Sequence, residues 1–131
     1  MTKPVDDGAE YRRIVSRGVR TLEWARETFG EVALDPQERA LRFLEEAMEL
    51  AQAAGTTGAQ AAALLERTWS RPPGLIPQEA AQVQLTLELV AEVLRVDLDD
   101  VAERELARIT RLPASHHRRR QAAKKSGGIA R

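Results

Sequence analysis

Glu45, Glu46 and Glu49 stand within five positions of one another, and a fourth glutamate, Glu79, precedes Gln82 by three residues. On a helix turning about 100° per residue, Glu45, Glu49 and Glu46 fall near about 0°, 40° and 100°, on one arc. Leu41, Phe43, Leu44, Met48 and Leu50 lie on a wide apolar face beside that arc, and Arg42 sits among the acids. Glu79, Gln82 and Thr86 lie between two apolar groups of their own helix, Val83, Leu87 and Val90 on one side and Leu85, Leu89 and Val93 on the other. Carboxylates at i,i+3 and i,i+4 spacing on two facing helices bind hard cations such as Mg²⁺ through oxygen. The same residue types also make an ordinary solvated face, with salt bridges from Arg42 to Glu45 and Glu46. For Glu79 the alternative is stabilisation by the helix dipole, since it follows Pro77 in a first turn. That accounts for its place along the helix but not for its inward face, where an unpaired carboxylate would be costly.

The elements that must position these groups are all helical. Ala, Leu, Glu and Arg dominate, and the alternation of a strand is absent. A first helix is expected from about Gly8 to Phe29, with Tyr11, Val15, Gly18, Leu22, Ala25 and Phe29 as its apolar or small stripe and Gly30 as its C-cap. Asp35-Pro36-Gln37-Glu38 reads as N-cap, first-turn proline and capping-box glutamate of a second helix reaching about Ala54. Thr57 starts a short third helix to about Trp69, Pro77 opens a fourth to about Arg95, and Asp97 with Asp100 caps a fifth from Leu98 to about Leu112. The expected fold class is all-α, a bundle of four to five helices over residues 1–112, completed by another subunit.

Composition narrows the chemistry. The chain has 131 residues and no cysteine, which excludes disulfides, thiolate metal sites and a cysteine nucleophile. Its two histidines, His116 and His117, are adjacent and lie outside the expected bundle, so a histidine zinc site or a Ser-His-Asp triad within it is excluded. The stretch Met1-Thr2-Lys3-Pro4-Val5-Asp6-Asp7 has no apolar signal region, and no run approaches the roughly 18 apolar residues of a membrane span. The expected location is the cytoplasm. Chemistry would rest on carboxylates, arginines and a borrowed metal or cofactor. Net charge is zero, yet residues 1–112 hold fourteen bases against twenty acids, and residues 113–131 hold six bases and no acid. That basic segment, with Arg118, Arg119, Arg120, Lys124 and Lys125, has no apolar face and is expected to be disordered. With neither aromatics nor a recognition fold around it, it reads as a solvated tail rather than a nucleic-acid site.

The stretch Arg42-Phe43-Leu44-Glu45-Glu46-Ala47-Met48-Glu49-Leu50, followed at a distance by Gln78-Glu79-Ala80-Ala81-Gln82-Val83, resembles the MazG-like all-α nucleoside triphosphate pyrophosphohydrolases. Their pattern is Glu-Glu-x-x-Glu on one helix and Glu-x-x-Asp on a later one. Trp24-Ala25-Arg26-Glu27-Thr28-Phe29-Gly30 is similar to the end of the first helix in small, often phage-borne members. Arg71-Pro72-Pro73-Gly74 is similar to their Arg-Pro-x-Gly loop, and Glu105-Leu106-Ala107-Arg108-Ile109 to their final helix. The resemblance runs in order through residues 21–112.

It implies a Mg²⁺-dependent hydrolase, with Mn²⁺ as the alternative ion, cleaving a nucleoside triphosphate to the monophosphate and pyrophosphate. By the same resemblance Glu45, Glu46, Glu49, Glu79 and Gln82 would be the metal ligands, with Glu45 and Glu46 also orienting the attacking water. Arg42 and Arg71 would contact phosphate, and the active form would be a homodimer or a dimer of dimers. Trp24 is a further substrate candidate by stacking on a base, the alternative being core or interface packing, where large aromatics usually reside. One departure stands out: Gln82 occupies the position of the family's Asp, a neutral ligand in place of a charged one. The alternative is therefore a catalytically reduced nucleotide-binding or regulatory protein, and a third reading is a plain helical interaction module.

Overall fold

Where the first helix begins is settled by a serine. In the computed structural model, which describes Gly8 and residues 15–130, α1 spans Arg17–Phe29, and Ser16 Oγ accepts from the Val19 amide at 3.2 Å. A capping hydroxyl of this kind satisfies an amide that the helix itself leaves unbonded. The expected continuous helix from Gly8 is thus interrupted at Val15 and Ser16; Gly8 itself is helical, and Tyr11 lies outside the described residues. Gly30, at φ 77°, ends α1 and leads into a 3-10 turn, Gly30–Leu34. Asp35 then accepts from the Gln37 amide at 3.0 Å and opens α2, Pro36–Ala53.

The next elements follow their caps. Gly55 adopts φ 104°, a conformation costly for other residues, and the chain turns into α3, Gly58–Trp69. Thr57 and Gln60 form a reciprocal capping box at its start. After the Pro-rich loop comes α4, Ile76–Leu94, whose Thr86 hydroxyl donates to the Gln82 carbonyl at 2.7 Å. Asp97 accepts from the Asp100 amide at 3.1 Å, beginning α5, Leu98–Arg111. The described residues contain no strand, so the all-α class stands.

A sixth helix, α6, spans Ala114–Ser126. The segment expected to be disordered is thus helical over most of its length, and with it six helices of several turns stand among the described residues, where four to five were expected. Arg, Ala, Gln and Lys are strong helix formers, no Gly or Pro interrupts them, and Lys124 and Lys125 complement the C-terminal dipole. The segment lacks an apolar stripe because it docks through polar side chains. His117 is buried, with its ring edge-on to Trp24 at 5.0 Å and near Phe29 at 6.3 Å. The Ile109 carbonyl can only accept, so the 3.0 Å contact places the hydrogen on His117 Nε2. Arg118 Nε donates to the Thr28 carbonyl at 3.0 Å, and Gln121 Nε2 donates to Glu38 Oε1 at 2.8 Å.

The chain divides into two units, Met1–Arg42 with Glu103–Arg131, and Phe43–Ala102. Among the described residues of the first, the buried positions are small or polar: Ala25, Thr28, Ala33, Glu38 and His117. Glu38 has no exposed surface; Arg42 Nε lies 3.1 Å from its carboxylate and an Arg39 nitrogen lies at 4.0 Å. Glu103 on α5 is held by Arg20 of α1, which donates at 3.0 Å, and by Arg17 at 3.3 Å. In the second unit the only buried residue is Ala91.

Removing one partner of a buried ion pair strands the other charge. Glu38→Ala should therefore destabilise the first unit by about 3 kcal/mol in urea unfolding and release α6, which proteolysis within residues 114–126 would register. The Arg20 hydrogen bond, with the charge of Arg20 and Arg17 behind it, holds the Glu103 carboxyl below its ordinary value. A lowered carboxylate pKa stabilises the fold above the unfolded value of about 4.3, and that gain is lost as pH falls through the folded value. The stability advantage of the natural chain over Glu103→Gln should thus be full at about pH 6 and vanish on acidification well below about pH 4, as thermal unfolding across that range would record.

Candidate functional site

The carboxylates of interest belong to the second unit. Glu45, Glu46 and Glu49 project from α2 and Glu79 and Gln82 from α4. Glu45 is half-buried and the other four are exposed. Among the described residues, no three acidic or histidine side chains converge in the way a metal ion requires. The single chain thus presents the expected ligands without gathering them. Their donor chemistry suits Mg²⁺, since every group offers oxygen. Neither Glu49 nor the Glu79 carboxylate makes a hydrogen bond or ion pair among the described residues.

One juxtaposition links the two halves of the later motif. The Glu79 side chain folds back over Gly74, so that a Cβ at position 74 would collide with its carboxyl oxygen and approach its Cδ at 3.1 Å and its Cγ at 3.3 Å. Arg71 opens the same four-residue stretch and is exposed. The loop therefore carries a guanidinium at one end and, at the other, a glycine beside a carboxylate. Leu75, which precedes α4, provides no side-chain cap, and Glu79 stands in that helix's first turn, where the dipole favours a negative charge.

The other two residues expected at substrate are held within the first unit. Arg42 donates to the Ile129 carbonyl and lies against the buried Glu38. Trp24 packs edge-on to Phe29 at 5.8 Å and to His117 at 5.0 Å. It also lines an open groove of about 510 Å³ with Arg20, Glu23, Glu103 and Leu106. A second groove, about 490 Å³, runs between Phe29, Gly30 and Val32 on one side and Arg118, Ala122 and Lys125 on the other. Sequence reasoning had no access to this second groove, because one wall is the helix it left unformed; the signal it could have used was the high helix propensity of Arg118–Lys125.

Because the nearest atoms to a Cβ at position 74 are the end of a flexible side chain, Gly74→Ala should be tolerated by the fold. Its thermal stability should stay within about 0.5 kcal/mol of the natural chain, with any change upward from the loss of unfolded-state freedom. Were Glu79 a metal ligand, Gly74→Ala would lower Mg²⁺ affinity, read by calorimetry, about 10-fold, in the direction of Glu79→Gln; an unchanged affinity would separate Glu79 from any metal site. No protein-family model matches the chain, and no curated protein or solved structure matches it either.

Proposed function

We propose that the chain is a Mg²⁺-dependent nucleoside triphosphate pyrophosphohydrolase, acting in the cytoplasm as a homodimer. The observation that carries this reading is the Glu79 carboxylate lying over Gly74 in the loop that Arg71 opens. Carboxylate and guanidinium thus stand on one short segment, which supports a role in binding a metal-complexed triphosphate. Glu45, Glu46, Glu49 and Glu79 would hold the metal, with Gln82 offering a neutral carbonyl oxygen. Arg71 would contact phosphate, where a bidentate guanidinium is the preferred partner.

Bound Mg²⁺ would supply charge neutralisation and a water of lowered pKa, so no side-chain nucleophile is needed. Water adds at the α-phosphorus, the bond to the bridging oxygen breaks, and pyrophosphate leaves with the monophosphate as the other product. Glu45 and Glu46, both on α2, would accept the water's proton. Arg42 and Trp24 already have partners in the first unit and enter this proposal as supports of that unit.

Gln82 favours a second reading, a nucleotide-binding protein with little turnover, because a neutral ligand removes one negative charge from the site. Pyrophosphate release from a panel of triphosphates with Mg²⁺ separates the two. The hydrolase reading expects turnover that drops at least about 100-fold in Glu49→Gln and in Glu79→Gln. Mg²⁺-dependent nucleotide binding without turnover supports the second reading. Gln82→Asp should raise activity or Mg²⁺ affinity about 10-fold in either case. Neither turnover nor binding would leave a helical interaction module.

A further inference from the structure

The zero net charge of the chain divides along its two structural units. The unit Met1–Arg42 with Glu103–Arg131 holds seventeen bases against ten acids, a net +7; the unit Phe43–Ala102 holds three bases against ten acids, a net −7. The acidic unit also carries most of the exposed large apolar side chains, although Val19, Leu22, Leu34, Leu41 and Ile129 of the basic unit are exposed as well. On α4, Leu85, Leu89 and Val93 form a stripe at i, i+4 and i+8 and are 61%, 67% and 81% exposed, and Trp69 at the end of α3 is 70% exposed. Contiguous apolar surface of this kind marks a protein interface rather than a solvent boundary. Glu88 and Glu92, both exposed, flank the α4 stripe on one side.

On the basic unit, α6 offers a face to match. His117, Arg118 and Gln121 turn toward the body of that unit. Arg119, at about half a turn from the His117–Gln121 face, and Arg120 are exposed, and their side chains, like that of Lys125, make no hydrogen bond or ion pair among the described residues. No acid occurs anywhere on α6. Its neighbours Ala122 and Ala123 are small enough to let another surface come close.

We propose that the acidic unit is covered by the basic unit of a second copy of this chain, in a two-fold dimer that makes the contact twice. Two-fold pairing closes the assembly and buries both apolar faces at once. Pairing acidic unit on acidic unit would instead oppose −7 with −7. The two arrangements therefore differ in the sign of their salt dependence, because screening weakens attraction between unlike charges and relieves repulsion between like ones. This inference deepens the homodimer of the proposed function but does not depend on turnover.

Sedimentation of the full chain at about 50 mM and about 500 mM salt tests the sign; the proposal expects a dimer whose dissociation constant rises at least about 10-fold with salt. Charge reversal tests the pairing. Arg119→Glu with Arg120→Glu in one variant, and Glu88→Lys with Glu92→Lys in another, should each weaken self-association by at least about 10-fold. Mixing the two should restore the dimer, because the two reversed faces then meet in one contact and the two natural faces in the other. Circular dichroism establishes that both variants keep their helices. A dimer that tightens with salt, or a mixture that stays dissociated, overturns the proposal. So does a chain that stays monomeric and binds duplex DNA through Arg119 and Arg120, which would give the basic face to nucleic acid.

Discussion

A carboxylate without exposed surface is the constraint on which the first unit depends. Glu38 sits where helix-terminal chemistry alone would place an ordinary capping residue, yet its oxygens meet Arg42, Arg39 and Gln121. Taking a charge out of water is recovered only if its partners stay in place. Arg42 comes from the next turn of α2, so that part of the network is local. Gln121 comes from α6, eighty-three positions later, and makes the network tertiary. The buried apolar residues of the described part of that unit are alanines, which supply little transfer energy. Specific polar contacts thus do for α6 what a leucine stripe does for most helices.

That dependence explains which parts of the structure were legible beforehand. Helices opened by Asp35, Thr57 and Asp97 follow from capping chemistry, a local rule with few competing outcomes. Thr86, bonded back to the Gln82 carbonyl, follows from the same kind of local rule. Two boundaries did not. Ser16 offered a cap in the middle of a stripe that periodicity alone continues, and the cap prevailed. α6 was hidden because apolar periodicity is blind to a helix anchored through His117, Arg118 and Gln121. The glutamates of α2 and α4 could be located on their helices, but their convergence depends on how those helices pair, which periodicity does not specify.

The second unit shows what that missing pairing costs. With one buried alanine in sixty residues, the second unit draws little hydrophobic stabilisation from internal contacts against the entropy of ordering it. The apolar faces of α2 and α4 are the surfaces whose closure would bring Glu45, Glu46 and Glu49 toward Glu79. Cover for those faces and assembly of a carboxylate site are therefore one structural problem. Gly74 fits this view: with no side chain, it leaves the Glu79 carboxyl room beside the loop rather than fixing it there.

Charge would couple a bound metal to the proposed second copy. Two divalent cations on α2 and α4 would offset four of the seven excess negative charges of the acidic unit. The remainder is matched in number by Arg119, Arg120 and Lys125, the cations that α6 leaves uncommitted. On charge alone the two ligands compete, since each bound cation reduces the attraction for a basic partner surface. If dimerisation also closes α2 on α4, it pre-assembles the carboxylates and the coupling reverses sign, so that metal and partner strengthen one another by the same factor. The sign of that coupling distinguishes a dimer that builds the metal site from one that only covers an apolar face.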